Sequence, residues 1–225
     1  MPSFDSISFD TAGLTLQGEK NGARVWHTEA GDGIGLFLFD KAPDIGADLG
    51  SLDSVRAFYR ALAADAGLAL IEVDTPEIDD RVATRTIFKA PQEPTGMTYL
   101  GSITLPFRDF SFVLKMQCRE HGTTGMRDVV VLEAMLGKGQ VTLREDGTMK
   151  GWMQDPYDPS FQAPLLRNLS DDETYDALFP EHPLSRLRST LRALEPTLRL
   201  SGELKSAPPF VRSQPPAQRP WWKMW

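Results

Sequence analysis

The chain has 225 residues, 24 Lys+Arg against 31 Asp+Glu for a net charge of −7, and 41% hydrophobic residues. That composition excludes chain-wide disorder. The single cysteine, Cys118, excludes an internal disulfide framework, and the acidic balance argues against nucleic-acid binding, which needs a basic face to displace counterions.

The first residues contain neither a basic n-region nor an apolar h-region, so no secretory signal is expected. The longest nearly apolar run, 34–39, is far short of the ~20 residues that cross a bilayer. With one free thiol, these features point to a reducing, cytoplasmic setting. Charge is uneven along the chain. Residues 44–80 hold nine acids against Arg56 and Arg60, whereas 205–225 hold four bases and no acid.

In chain order, 4–9, 13–18, 23–27 and 33–39 read as strands separated by turn formers such as Asn21-Gly22. Leu52, Val55, Phe58, Tyr59, Leu62 and Ala66 recur at helical spacing, with Ser51 placed to cap and Gly67 placed to stop. A short strand, 68–73, and an acidic turn, 74–80, lead to three longer strands, 81–89, 97–105 and 107–119, with Pro106 forcing a break between the last two. In the last strand Phe110, Phe112, Leu114, Met116 and Cys118 alternate with Ser111, Lys115, Gln117 and Arg119, the pattern of a half-buried antiparallel strand. A helix is expected over 126–136, from Thr124 to Gly137, then a hairpin through Asp146-Gly147 and a proline-punctuated loop at 155–159. Ser170 heads a capping box for a short helix bearing Tyr175, Leu178 and Phe179. The final helix opens at Pro183, carries Leu184, Leu187, Leu191 and Leu194 on one stripe, and presents Ser185, Arg188, Arg192 and Glu195 as its wet face.

The links between 81 and 119 are too short for helical crossovers, so pairing there is antiparallel. The expected fold class is α+β: a twisted antiparallel sheet with packed helices in one domain, 1–205. A hairpin and loop insert spans 139–170, and an extended tail spans 206–225.

Motifs for chemistry are sparse. Cys118 and His121 form a Cys-x-x-His pair, but Cys118 continues an apolar strand face, where a free cysteine behaves as a small hydrophobe. His27, His121 and His182 share no metal-ligand spacing, and Asp155, Asp158, Asp171 and Asp172 lack the form of a calcium loop. Gly31-Asp32-Gly33-Ile34-Gly35 enters a strand, whereas a dinucleotide fingerprint leaves one. No catalytic, cofactor or metal site is expected. An enzyme would need a site assembled from distant residues such as Asp79, Asp80, Arg85, His121 and Arg127.

The tail stands apart. It holds Pro208, Pro209, Pro215, Pro216 and Pro220 and ends in Trp221-Trp222-Lys223-Met224-Trp225. Each buried tryptophan removes ~150–250 Å² from water, so these side chains should be docked: in a groove of this domain, on a partner chain, or at a membrane surface, the last being the least favoured. Trp221, Trp222, Trp225, Arg219 and Lys223 are the candidate partner-binding residues, with Asp74, Glu77, Asp79 and Asp80 as the acidic counterpart.

The order of elements from 51 to 136, extending over 4–200, resembles the PsbP-like and DcrB-like α/β proteins. Residues 184–200 match the closing helix and short strand of that group, while 139–168 and the Trp-rich tail depart from it. The stretch Pro91-Gln92-Glu93-Pro94-Thr95-Gly96-Met97 and onward to Ser102 is similar to one in bacterial proteins of this length. Members of the wider fold are mostly non-catalytic binding modules, including assembly factors, a GTPase-binding protein and chaperones that hold hydrophobic helices of secreted toxins. The resemblance implies a protein-binding module, such as an adaptor or chaperone of a bacterial secretion or toxin system. The alternatives are the dispersed-site enzyme and a homo-oligomeric structural protein with a swapped tail. The expected partner is another protein or a second copy of the chain, with no cofactor.

Overall fold

The computed structural model describes residues 2–212. Period-two patterning and tight turns produce seven main strands: β1 (Leu14–Lys20), β2 (Ala23–Thr28), β3 (Gly33–Phe39), β4 (Ala69–Asp74), β5 (Thr84–Pro91), β6 (Met97–Pro106) and β7 (Ser111–Arg119). They form one antiparallel sheet in the order β1-β2-β3-β7-β6-β5-β4. Asn21 and Gly22 both take positive φ, 53° and 73°, which gives the β1–β2 hairpin the primed turn that strand twist favours.

Helix α1 (Leu52–Ala66) starts where the Ser51 side chain accepts from the Ser54 N–H and stops at Gly67, φ 70°. Val55, Tyr59 and Ala63 bury it against Leu70 and Val73 of β4. Helix α2 (Met126–Gly137) follows the end of β7. Helix α3 (Pro183–Leu194) crosses the other face of the sheet, where Leu184, Leu187, Leu191 and Leu194 join the principal core with Ile103, Phe112, Leu114 and Met116. Gly101 makes room for α3. A Cβ there would lie 2.5 Å from Leu191 Cδ1 and 2.7 Å from Leu187 Cδ2. A short helix, α4 (Gly202–Ser206), follows, then Pro209 bridges to Phe107 and Phe210 packs against the α1 cluster.

The protein is therefore α+β, with several local departures from the sequence reading. Residues 4–9 form a 3-10 turn, Phe4–Ser6, in which Ser3 N–H donates to Ser6 Oγ, followed by a two-residue strand, Ile7–Ser8, paired with Arg199–Leu200. The 81–89 strand breaks at Ala83, whose N–H donates to the Pro76 carbonyl. Arg81–Val82 instead forms a hairpin with Glu77–Ile78 over left-handed Asp79 and Asp80. Pro106 is the last residue of β6, and a turn closed by Phe107 N–H to the Phe110 carbonyl delays β7 to Ser111. Ser111 and Lys115, expected on a wet face, are buried. Helix α2 starts from left-handed Gly125 rather than a Thr124 cap. The short helix expected after Ser170 is two 3-10 turns capped by Asn168 and Asp172. Ser185 and Arg188 of α3 are buried, not wet.

Candidate functional site

The four acids proposed as one rim are divided by the fold. Asp74 ends β4 and pairs with Arg85 at 2.9 Å. Asp79 accepts from the Leu200 N–H at 2.8 Å and pairs with Lys205 at 3.1 Å, and these contacts hold its carboxyl below the usual range. Glu77 and Asp80 stay exposed at the 77–82 hairpin, where Asp80 lines a cavity of about 310 Å³ with Leu49, Val82, Phe210 and Arg212. Trp221, Trp222, Trp225, Arg219 and Lys223 lie outside the described residues. The residues offered as a dispersed catalytic set fall in three places: Asp79 and Asp80 at that hairpin, Arg85 beside β4, and His121 with Arg127 at the start of α2.

The densest polar cluster is one that the sequence reading missed. The register of β4 shifts between Leu70 and Glu72, a bulge that re-aims side chains. Ile71 enters the α3-side core, and Glu72 also turns that way, meeting Arg85 and Arg188 at 3.2 Å each. Arg188 holds both carboxylate oxygens of Asp176, at 2.9 and 2.8 Å, and donates to the Asp171 carbonyl at 2.9 Å. Arg127, 1% exposed, donates to the carbonyls of Ser170 (2.7 Å) and Asp172 (2.9 Å), to Ser185 Oγ (2.8 Å) and to Asp176 (2.9 Å). Lys89 pairs with fully buried Asp171, which also accepts from the Asn168 N–H at 2.9 Å. Buried charges persist only when paired and hydrogen-bonded. Here they clamp the 168–176 strap onto α2, α3 and β5.

Between that strap and β4 lies a cleft of about 400 Å³ lined by arginines and carboxylates. Arg167 pairs with Asp172 at 3.0 Å, Arg192 pairs with Glu173, and Arg56 lies 4.1 Å over the Tyr157 ring. The Tyr157 hydroxyl accepts from the Val73 N–H at 2.8 Å and donates to its carbonyl at 3.2 Å. The insert thus occupies the free edge of β4, which would otherwise be open to strand addition.

The other unusual surface is apolar. Among the described residues eleven large hydrophobics are exposed, and eight of them lie between 126 and 178: Met126, Val129, Val130, Leu136, Leu143, Met149, Met153 and Leu178. Met126, Val129 and Val130 are spaced i, i+3, i+4, so they form one stripe of α2, opposite its buried Arg127, Val131 and Met135. Leu143 and Met149 sit directly opposite each other in the 142–150 hairpin. At the N-terminal end of α2, Met126 and Leu178 line a cavity of about 290 Å³ with His121, Phe179 and Pro180. Beside it Glu120 accepts from the N–H groups of Met97 (2.8 Å) and Gly125 (2.9 Å) and lies 3.6 Å from His182 Nε2. Burial opposes its ionisation, but these hydrogen bonds outweigh burial and hold the carboxyl below its usual range. His182 Nδ1 in turn accepts from the Leu184 N–H and caps α3.

No family model and no curated protein matches the sequence. Among solved structures, the chain is similar to cyanobacterial PsbP (CyanoP) from Synechocystis sp. PCC 6803. The two are 14% identical with a TM-score of 0.34, over 61% of this chain and 86% of that one.

Chemically, the arginines of the cleft are neutralised by neighbouring carboxylates. Cys118 is fully buried, and burial followed by the charge of Asp32 pushes its thiol far up, away from the thiolate a nucleophile needs. Among the described residues no group of three or more His, Cys, Asp or Glu is placed to hold a metal ion, and no helix is long and apolar enough to cross a membrane. What the surface offers is an exposed apolar stripe on α2 with a cavity at its N-terminal end.

Proposed function

We propose that the protein is a binding module, an adaptor or chaperone that holds an apolar helical segment of a client protein against α2 and the 142–150 hairpin. The observation that carries this reading is the number of exposed apolar side chains on α2 and in the segment that follows it, since exposed apolar patches mark interaction surfaces. The stripe Met126–Val129–Val130 presents helical spacing to a partner helix, and the cavity beside Met126 and Leu178 would seat one anchoring side chain. Three methionines, Met126, Met149 and Met153, give the face the adaptable packing found on surfaces that accept varied apolar sequences. The clamped strap keeps the socket in place without using the face itself. A client of a bacterial secretion or toxin system, with its amphipathic helices, fits this chemistry.

The test is a photo-crosslinking residue placed at Val129 and, as control, at Glu19 of the opposite sheet edge, in native cells. A discrete adduct from 129 that is absent from 19 is expected. Equal labelling from both positions, or none from either, would remove α2 as the binding face.

A further inference from the structure

The edge of β4 lies between the two layers of the fold. Val73 sits in the α1-side cluster with Val55 and Tyr59, whereas Ile71, at the bulge, joins the α3-side core. The cleft of about 400 Å³ follows this edge and is lined by Arg56 of α1 and by Arg188 and Arg192 of α3. In an antiparallel pair a residue can exchange both its N–H and its carbonyl with the residue directly opposite. At Val73 a single atom takes both groups. The Tyr157 hydroxyl accepts from the N–H at 2.8 Å and donates to the carbonyl at 3.2 Å. One side chain does there what a neighbouring strand would do.

The same side chain covers a cation. Glu72, Asp74, Asp172 and Glu173, the carboxylates of the cleft, are each held by one of its other arginines. Arg56 instead pairs with Asp53, outside the cleft, 3.8 Å away and 96% exposed, a geometry that contributes little. Its Nε is buried without an acceptor, and its guanidinium lies 4.1 Å over the Tyr157 ring. A buried donor left unpaired costs free energy that an acceptor recovers. The loop does not need the Tyr157 ring to stay in place. The Tyr157 and Asp158 N–H groups donate to Asp155 at 2.9 Å each, and Asp155 pairs with Arg60 at 3.3 Å.

We infer that Tyr157 is a displaceable plug, and that when its ring turns out an extended peptide pairs with the edge of β4 and sets a carboxylate on Arg56. The register selects the position of that carboxylate. A residue directly opposite Val73 shares its face, which is the face of α1, so a glutamate there is directed to Arg56 and can form a charge-assisted pair. Two main-chain hydrogen bonds replace the two made by the hydroxyl, so the exchange is nearly even. The Arg56 contact then supplies the preference for an acidic peptide. None of these residues belongs to the α2 stripe.

The probes are acetylated and amidated pentapeptides of β-branched residues with Glu, Gln or Lys at the centre. They are titrated onto the isotope-labelled full-length chain, and the Val73 amide resonance is followed. The Glu peptide should bind severalfold more tightly than the other two. Tyr157→Phe keeps the ring but removes both bonds to Val73, so it should strengthen binding of all three severalfold. Arg56→Gln should erase the preference for Glu, and N-methylation of the central residue should abolish binding. Absence of binding to both the unmodified chain and Tyr157→Phe overturns the inference. So does binding that Tyr157→Phe fails to strengthen, or that survives N-methylation. Self-association of Tyr157→Phe without peptide binding also overturns it, because the occupant of the edge would then be a second copy.

Discussion

Helices α2 and α3 are both twelve residues long and treat their apolar residues in opposite ways. In α3 four leucines on one stripe are buried, while in α2 Met126, Val129, Val130 and Leu136 face outward; each helix also buries one arginine, Arg188 in α3 and Arg127 in α2. Hydrophobicity does not explain this, since α2 is the more apolar sequence. Position does. Helix α3 lies on the sheet, where Gly101 opens a recess for Leu187 and Leu191, and Arg186 ties it to Asp32 at 2.8 and 2.9 Å. Helix α2 lies beyond the end of β7 and packs on a small separate cluster of Val141, Trp152, Leu169, Tyr175 and Phe179. It is also held by Arg127, which reaches the strap.

The contrast breaks most visibly at Arg127. Arg127→Ala removes a buried guanidinium that donates to two carbonyls, Ser185 and Asp176. Removing one partner of a buried ion pair costs about 3–5 kcal/mol, and urea unfolding should show that loss. A loss near zero would mean that the strap stays in place without its clamp. In α3 the corresponding probe is Leu191→Ala. A buried leucine truncated to alanine costs about 2–5 kcal/mol, again read from the urea midpoint. A loss under ~0.5 kcal/mol, the surface range, would make α3 peripheral.

The sheet and α3 were legible in the sequence because each rests on a local, repeating signal. Gly33–Phe39 matches the expected bounds, Ser51 and Gly67 cap α1 as read, and the four leucines of α3 are all buried. What stayed hidden depends on contacts distant in sequence. Arg188 and Ser185 occupy polar positions of an amphipathic helix, so periodicity places them in water; only the strap, with Asp171 and Asp176, explains their burial. For the same reason Lys115 was placed on a wet face, although period two was correct for β7. Alternation reveals which residues share a side, not whether that side is covered. The outward stripe of α2 is hidden by the converse route, because apolar residues at helical spacing do not reveal whether anything covers them. A triple valine run in a helix, of weak helix propensity, was the one available hint that α2 is not an ordinary core helix.

Lys115 sharpens the comparison between the two sides of the sheet. Burial pushes its ammonium down from 10.5 to about 7. Between those values the unfolded chain keeps a proton that the folded chain has lost, so stability rises with pH across that window, and the full penalty is present below about 7. The slope cannot exceed about 1.4 kcal/mol per pH unit for one group. Urea midpoints at several pH values between 7 and 10 should show the rise, and Lys115→Met should flatten it. An unchanged slope in Lys115→Met would assign the pH dependence to another group.

The smallest expected effect separates the two helices most directly. Val130 is 47% exposed on the outward stripe of α2. Valine and aspartate have similar helix propensities, and exposed substitutions away from special features stay within about 0.5 kcal/mol. Val130→Asp should therefore leave the urea midpoint almost where it was, while abolishing the crosslink expected from Val129. That pairing of outcomes is what a binding face, as distinct from a core face, requires. The measurement belongs at two protein concentrations. If Val130→Asp destabilises the concentrated protein and spares the dilute one, the stripe is covered by a second copy, and the client helix proposed for α2 gives way to self-association. If it destabilises both equally, the stripe is packed within the chain, and the contrast between α2 and α3 disappears.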